Sequence, residues 1–223
     1  MNTGDAVAIA LLSLRVALVA VLAAAVPAIA LGWALARGRF RGKALVQTLV
    51  SLPMVLPPVA IGLVLLLIFS RRAPVGRFLE AVFGAPILLT WWAAAVASAV
   101  MAFPFVVLGA KSAFDSVPVR LESVASSLGA TPWQVFRRVT LPLSARGILH
   151  GATFAFARAL GEFGATTVVA GNIPGRTETL ALGIYARIES FQEQDAVLLS
   201  CLSLVLALLF TGAAQVLLRP KPA

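Results

Sequence analysis

The chain contains five long apolar runs, and these limit its possible folds more than any other feature. The runs cover residues 9–36, 45–69, 87–108, 147–170 and 196–218. Each is near or above the roughly 20 residues that an α-helix needs to cross a bilayer. With 60% hydrophobic and only 12% charged residues, a chain of 223 residues is too apolar for a soluble domain. The sequence therefore predicts an all-α integral membrane protein with about five transmembrane helices.

The first run is predicted to be a membrane span and not a secretory signal peptide. Asp5 stands where a signal peptide has its basic region, and the run is far longer than a signal core. The net charge of +9 does not indicate a nucleic-acid partner, because the basic residues are dispersed between the apolar runs. The single cysteine, Cys201, lies within an apolar run and can form no disulfide inside the chain.

The basic residues predict the orientation, since loops on the cytoplasmic side carry an excess of Lys and Arg. With the N-terminus outside, the cytoplasmic set is Arg37, Arg39, Arg41, Lys43, Lys111, Arg120, Arg137, Arg138, Arg146, Arg219 and Lys221. The outer set is less than half as large: Arg71, Arg72, Arg77, Arg176 and Arg187. We therefore predict an N-out, C-in topology for a multi-pass protein of the plasma (inner) membrane.

A polar interval, residues 117–142, separates the third and fourth runs. Its first part has apolar residues at i, i+3, i+4 and i+7, a spacing that predicts a short helix with one apolar stripe. These residues are Leu121, Val124, Ala125 and Leu128. Gly129 suits the position after that helix, and Thr131 with Gln134 predicts a capping box at the start of a second helix. Such a stripe either lies on lipid headgroups or packs against a partner protein.

This interval resembles the cytoplasmic EAA loop of the permease subunits of ABC importers. The signature of that loop is Glu-x-Ala-Ala, followed at set distances by Gly, Phe and Leu-Pro. The matching residues here are Glu122, Ala125, Gly129, Phe136, Leu141 and Pro142. Val124 stands where the family has its first alanine, a small and apolar exchange. The resemblance implies that residues 111–146 form a cytoplasmic coupling loop, and that its coupling helix docks on an ATPase subunit.

Two further segments resemble the oxyanion branch of these permeases. Three prolines in the second run, Pro53, Pro57 and Pro58, either kink a packed helix or match the second span of molybdate and sulfate permeases. The Gly-Glu-Phe-Gly block at residues 161–164 is similar to molybdate, tungstate and sulfate permeases, and the Asn-Ile-Pro-Gly run at residues 172–175 to the molybdate type.

Residues 1–223 are thus identified as a single transmembrane domain of a type I ABC importer of the molybdate/sulfate group. The resemblance implies a homodimer of permeases, two ATP-binding cassette subunits and an extracytoplasmic oxyanion-binding protein. It implies import of molybdate or a similar tetrahedral oxyanion; sulfate, thiosulfate or tungstate are the alternatives. No nucleic-acid partner, cofactor or metal is expected.

Two charged residues of the fourth run, Arg158 and Glu162, stand four residues apart and can form an ion pair on one helix face. A charge deep in a membrane is costly, so the pair either holds the bundle together or lines the transport pathway. In the pathway interpretation, Arg158 attracts the anion and Glu162 weakens its binding. Small neighbours that would permit close helix approach, and the polar residue after them, complete the candidate set: Gly161, Gly164 and Thr166.

Motifs for catalysis are absent from the sequence. It has one histidine, His150, and therefore no His-Glu-x-x-His zinc helix, and residues 38–44 lack the spacing of a phosphate loop. An intramembrane enzyme should bring several reactive groups together, and the runs offer only Arg158 and Glu162. A transport subunit without an ATPase site is the favoured interpretation, and a membrane assembly factor without a pore is the alternative from another class. Co-purification of an ATPase subunit would separate these two.

The orientation can be tested with two single-cysteine variants, Thr3→Cys and Ser126→Cys, made in a Cys201→Ser background. In the N-out topology, a membrane-impermeant maleimide added to spheroplasts reacts with the first variant and not with the second. Labelling after permeabilisation is the control that both thiols are reactive. The reverse pattern would overturn the predicted topology.

Overall fold

The structure is a computed structural model that describes residues 2–217. The predicted end of the fifth run at Leu218 and the basic residues Arg219 and Lys221 lie outside this range. The helices are α1 (Thr3–Arg37), α2 (Lys43–Val55), α3 (Pro58–Phe69), α4 (Pro74–Phe83), α5 (Trp91–Asp115), α6 (Val119–Ser127), α7 (Pro132–Val135), α8 (Leu141–Leu160), α9 (Gly164–Ala170), α10 (Leu180–Glu189) and α11 (Glu193–Leu217). A π-helical turn, Phe136–Thr140, joins α7 to α8. Residues 2–217 contain no strand, and the predicted all-α class is confirmed.

Three helices of the described residues are long and apolar enough to cross a membrane by themselves, namely α1, α5 and α11. The pair α2 and α3 passes the same criterion as one broken span, with a bend of 108° between its two parts. The predicted fourth span is divided between α8 and α9, and neither meets the criterion alone. The number of five spans and the side of the membrane on which each end lies stay predictions.

The second apolar run, residues 45–69, was expected to form one kinked helix, and this is corrected by the break between α2 and α3. Leu56 and Pro57 have extended backbones, with ψ of 144° and 130°. Each of them precedes a proline, whose ring disfavours helical geometry in the residue before it. Pro57 and Pro58 also lack the N–H groups that a continuous helix would use. Pro53, in contrast, lies inside α2 without ending it.

Glycines and alanines set the contacts between α5 and the helices on either side of it. A Cβ added to Gly109 would lie 2.6 Å from the Cα of Gly151, and one added to Gly147 would lie 2.6 Å from the Cβ of Ala113. Residues spaced four apart on α5 and α8 therefore meet in antiparallel order. Gly32 of α1 contacts Ala110 at a corresponding distance of 2.8 Å. Small residues at these points let the helix backbones approach closely, as is typical of membrane bundles.

The N-terminal part of α1 packs on the last two helices. Ile9, Ala10, Leu180 and Leu199 form one buried cluster there. The hydroxyl of Ser13 donates to the Ile9 carbonyl (2.8 Å) and accepts from the N–H of Leu180 (2.7 Å), so it satisfies the first backbone donor of α10. The first turns of α1 thereby hold α10 and α11, and the rest of α1 packs along α5 and α8.

We predict that Gly109→Ala destabilises the bundle by about 1–3 kcal/mol, because the added methyl group has no space against the Gly151 backbone. The matched control is Gly212→Ala in α11, where an added Cβ would meet nothing within 4 Å. Thermal unfolding of both variants in detergent measures the difference. Equal melting temperatures for Gly109→Ala and the control would contradict the close approach of α5 and α8.

Candidate functional site

The predicted coupling helix is α6, and its end is a Schellman motif. The N–H of Ala130 donates to the carbonyl of Ala125 (3.1 Å), and the N–H of Gly129 donates to that of Ser126 (3.0 Å). Gly129 has φ +86°, a left-handed conformation that a residue with a side chain rarely adopts. The motif brings the predicted residues Ala125 and Gly129 into one turn and redirects the chain after α6.

The second helix begins two residues later with the predicted capping box. The backbone N–H of Thr131 donates to the side-chain oxygen of Gln134 (2.9 Å), and the N–H of Gln134 points back to the Thr131 hydroxyl (3.4 Å). The fourth apolar run was predicted at residues 147–170, whereas α7, the π-helical turn and α8 follow one another without a break from Pro132 to Leu160. The corner is therefore connected to a long helix of the bundle without an intervening loop.

The predicted apolar stripe of α6 is exposed. Leu121, Val124 and Leu128 are 46%, 50% and 83% exposed, and Trp133 of α7 is 67% exposed. We call these four residues the docking face. Leaving so many large apolar side chains uncovered outside the spans is unfavourable in water, so the face is suited to a lipid surface or to a partner protein.

The carboxylate of Glu122 is directed into its own chain. Its Oε1 accepts from Nη2 of Arg37 (3.0 Å) and from the hydroxyl of Thr140 (2.8 Å), and its Oε2 accepts from Nε of Arg37 (3.1 Å). Arg37 also donates through Nη2 to the carbonyl of Val117 (2.8 Å). We call Arg37, Glu122 and Thr140 the clasp; it joins the end of α1, the helix α6 and the π-helical turn.

Phe136 lies beside the clasp in a group of aromatic rings. Its ring centroid is 5.5 Å from that of Trp33 and 6.2 Å from that of the fully buried Phe114. Leu141 packs in the same apolar cluster, whereas Pro142 is exposed in the first turn of α8. Among the predicted coupling residues, Glu122, Phe136 and Leu141 thus fix the loop to the spans, and the apolar stripe faces outward.

The ion pair between Arg158 and Glu162 is present, but it lies at a helix break. Nη1 of Arg158 is 2.7 Å from Oε2 of Glu162. Glu162 comes after the end of α8, and its Oε1 accepts from the N–H of Ala165 (2.8 Å) in the first turn of α9. The Glu162 side chain is 1% exposed and that of Arg158 is 28% exposed. Glu162 therefore caps the start of α9 at the break between the two helices. Arg158 is the partly exposed member of the ion pair.

The remaining pathway candidates lie around this break. A Cβ added to Gly164 would be 2.8 Å from the Cβ of Pro58, so Gly164 permits contact between α9 and α3 within the chain. Thr166 is 1% exposed, and its buried hydroxyl has no hydrogen-bond partner among the described residues. Gly161 is exposed and ends α8. The structure thus brings Arg158, Glu162 and Gly164 together next to the proline break of the second run.

Two residues of the clasp were missed as site residues by the sequence analysis. Arg37 had been counted only as a basic residue for orientation, and Thr140 was not noted. Nothing in the spacing connects Arg37 with Glu122, which stands 85 residues later. The available signal was that the predicted helix carries a single acidic residue in its first turn, while the other segments predicted on the same side of the membrane are rich in arginine.

Comparison with protein families decides the identity. Residues 28–221 match the family described as "Binding-protein-dependent transport system inner membrane component". The chain belongs to this family. It is therefore an inner-membrane permease of the ABC transporter type, in agreement with the resemblance noted in the EAA loop.

The permease is similar over most of its length to curated relatives. It is 43% identical to the molybdenum transport system permease protein ModB of Escherichia coli K12 over 200 residues, 89% of this chain and 87% of that protein. It is 42% identical to the ModB protein of Haemophilus influenzae over 204 residues, 88% of this chain and 89% of the relative. The sulfate transport system permease protein CysT of Salmonella typhimurium is 37% identical over 80% of this chain and 64% of its own length.

The fold of the permease is similar to that of solved ABC transporters. The inward-facing MetNI methionine transporter has a chain that superposes with a TM-score of 0.72 at 21% identity, with 98% of both chains covered. An amino acid ABC transporter solved with histidines gives a TM-score of 0.69 at 18% identity. At these identities the comparison shows a shared fold.

We predict that Glu162→Ala lowers the stability of the permease by about 1–3 kcal/mol, because it leaves the buried Ala165 N–H without an acceptor and Arg158 without its partner. Glu162→Gln, the matched variant, keeps an oxygen for the Ala165 N–H and should lose less. Thermal unfolding in detergent compares the two. Equal losses would show that the charge alone matters and that the cap on α9 does not.

Proposed function

We propose that this permease imports molybdate, as the membrane subunit of an ATP-driven transporter. The observation that carries the proposal is the 42–43% identity to two molybdenum transport permeases over almost nine tenths of the chain. The sulfate permease is less similar and matches over a shorter part of both chains. Tungstate and sulfate are the alternative cargoes, because they are tetrahedral dianions of the same type.

The docking face supports an ATPase partner. It stands outside the spans, at a helix corner, and its apolar side chains remain about half exposed or more among residues 2–217. A lipid surface could also cover these side chains. An ATPase groove is favoured because the face adjoins the continuous helix from Pro132 to Leu160, which provides a rigid connection into the bundle. We therefore propose that residues 111–146 are the coupling loop of a single transmembrane domain, and that the ATPase subunit hydrolyses the ATP.

A homodimer and an extracytoplasmic binding protein complete the proposed complex. The outer surface of α8 carries His150, Phe154 and Arg158 at spacings of four residues, and the first two are exposed. The two polar members of this row, His150 and Arg158, are costly against lipid, whereas a second copy of the permease or a water-filled pathway would accommodate them. We propose that two permeases face each other across this row, and that Arg158 takes part in attracting the anion.

The function is tested by molybdate uptake in cells that lack other molybdate importers and that express the permease with its ATPase and its binding protein. Uptake should be saturable, should depend on all three components, and should resist an excess of sulfate. Accumulation of sulfate and not of molybdate would show that the permease is a sulfate importer. Failure of an ATPase subunit to co-purify would favour an assembly factor.

The Gly129→Asp variant tests whether residues 111–146 couple ATP hydrolysis to uptake. An aspartate at φ +86° is strained, and its charge would enter the docking face. We expect normal membrane abundance and a loss of uptake of at least roughly tenfold, the change that about 1.4 kcal/mol produces in an equilibrium. Normal uptake by Gly129→Asp would contradict the role of residues 111–146 in coupling.

A further inference from the structure

The coupling helix α6 makes few apolar contacts with the rest of the permease. None of its nine residues, Val119–Ser127, is buried in the structure of residues 2–217. Helices of a bundle are usually held by an apolar face packed on their neighbours, but the apolar face of α6 is directed outward. Its position relative to the spans must therefore depend on its two ends and on polar contacts.

Among residues 2–217, the clasp is the side-chain polar contact that α6 makes with other elements. Most exposed ion pairs contribute little, because water solvates both charges and the side chains are mobile. Here the Arg37 and Glu122 side chains are only 19% and 17% exposed, and the guanidinium contacts both carboxylate oxygens. Thr140 adds a third donor, and Arg37 reaches Val117 just after α5. A carboxylate held by several charge-assisted hydrogen bonds has a well-defined position.

We infer that Arg37 and Thr140 are positioning residues for ATP-driven transport, because they hold the Glu122 carboxylate and make α6 move as one body with α1 and α8. This inference rests on the proposed function. A push on the docking face would otherwise be absorbed by the Gly129 corner, since α6 could swing alone. With the clasp closed, the same displacement is passed to α1 through Arg37 and to α8 through the π-helical turn.

The clasp assigns to Glu122 a partner in its own chain. The aromatic contact of Phe136 with Trp33 lies at the same end of α1 and supports the same attachment, but it holds the π-helical turn and not α6. Loss of the clasp should therefore release α6 while the bundle stays assembled. This separates a positioning role from a general effect on stability.

The first test uses Arg37→Gln, Glu122→Gln, their double mutant and Thr140→Val in the permease reconstituted with its ATPase and binding protein in liposomes. The readout is the number of oxyanions imported for each ATP hydrolysed. We expect this ratio to fall roughly tenfold in Arg37→Gln, the lower end of what loss of a charge-assisted hydrogen bond changes in an equilibrium. In the double mutant the ratio should be no lower than in either single mutant, because both remove the same contact. In Thr140→Val the ratio should fall less.

Arg39→Gln is the matched control, because Arg39 is an exposed arginine two residues after Arg37 and makes no hydrogen bond or ion pair with the described residues. It should keep the ratio of the unchanged permease. A normal ratio in Arg37→Gln, or additive losses in the double mutant, would overturn the inference.

The second test needs no transported ion, so it remains decisive if the cargo is not molybdate. Spin labels are placed at Ser126 of α6 and Val26 of α1, both exposed, in a Cys201→Ser background. The labelled permease is diluted with an excess of unlabelled permease, so that a complex carries at most one labelled copy, and the distance between the two labels is measured in the full complex. A single narrow distance should become broad in Arg37→Gln and should stay narrow in Arg39→Gln. An unchanged distribution in Arg37→Gln would show that the clasp does not fix α6, whatever the permease transports.

Discussion

Hydrogen bonding of the backbone is the constraint on which this structure depends. In the hydrocarbon layer no water satisfies a free N–H or carbonyl, so a membrane chain must remain helical or provide a partner at each break. Within residues 2–217, the helices of two apolar runs are broken, between α2 and α3 and between α8 and α9. At the first, Pro57 and Pro58 remove the donors themselves. At the second, the carboxylate of Glu162 accepts from the first turn of α9.

The same constraint explains why helix contacts depend on small residues. With backbone polar groups satisfied inside each helix, and lipid as apolar as leucine, helices associate through close packing. Gly109, Ala113, Gly147 and Gly151 provide that packing between α5 and α8. The long apolar side chains that a soluble protein would bury are left on the outside, where the bilayer covers them.

Outside the spans charged side chains cost less, because water solvates them, and they can form specific contacts. The coupling region combines a tightly capped corner at Gly129, an exposed docking face and the clasp. Each has a separate task in the proposed mechanism: the corner sets the direction of α6, the face meets the ATPase, and the clasp fixes α6 to α1 and α8. A rigid arrangement is what a subunit needs if a displacement at one end is to open a pathway at the other.

The sequence by itself determined the helical class, the helix corner and its caps, because apolar periodicity, Gly129 and the Thr131 box act over a few residues. It also indicated the family, through the spacing of the EAA loop. The tertiary structure alone decided that Glu122 is held by Arg37, 85 residues earlier, and that Glu162 closes a helix break. The Arg37–Glu122 pairing depends on how distant helices pack, and no local spacing encodes that. The contact of Glu162 with Ala165 is local, but it exists only because the apolar run is broken between α8 and α9, and the run itself does not show that break.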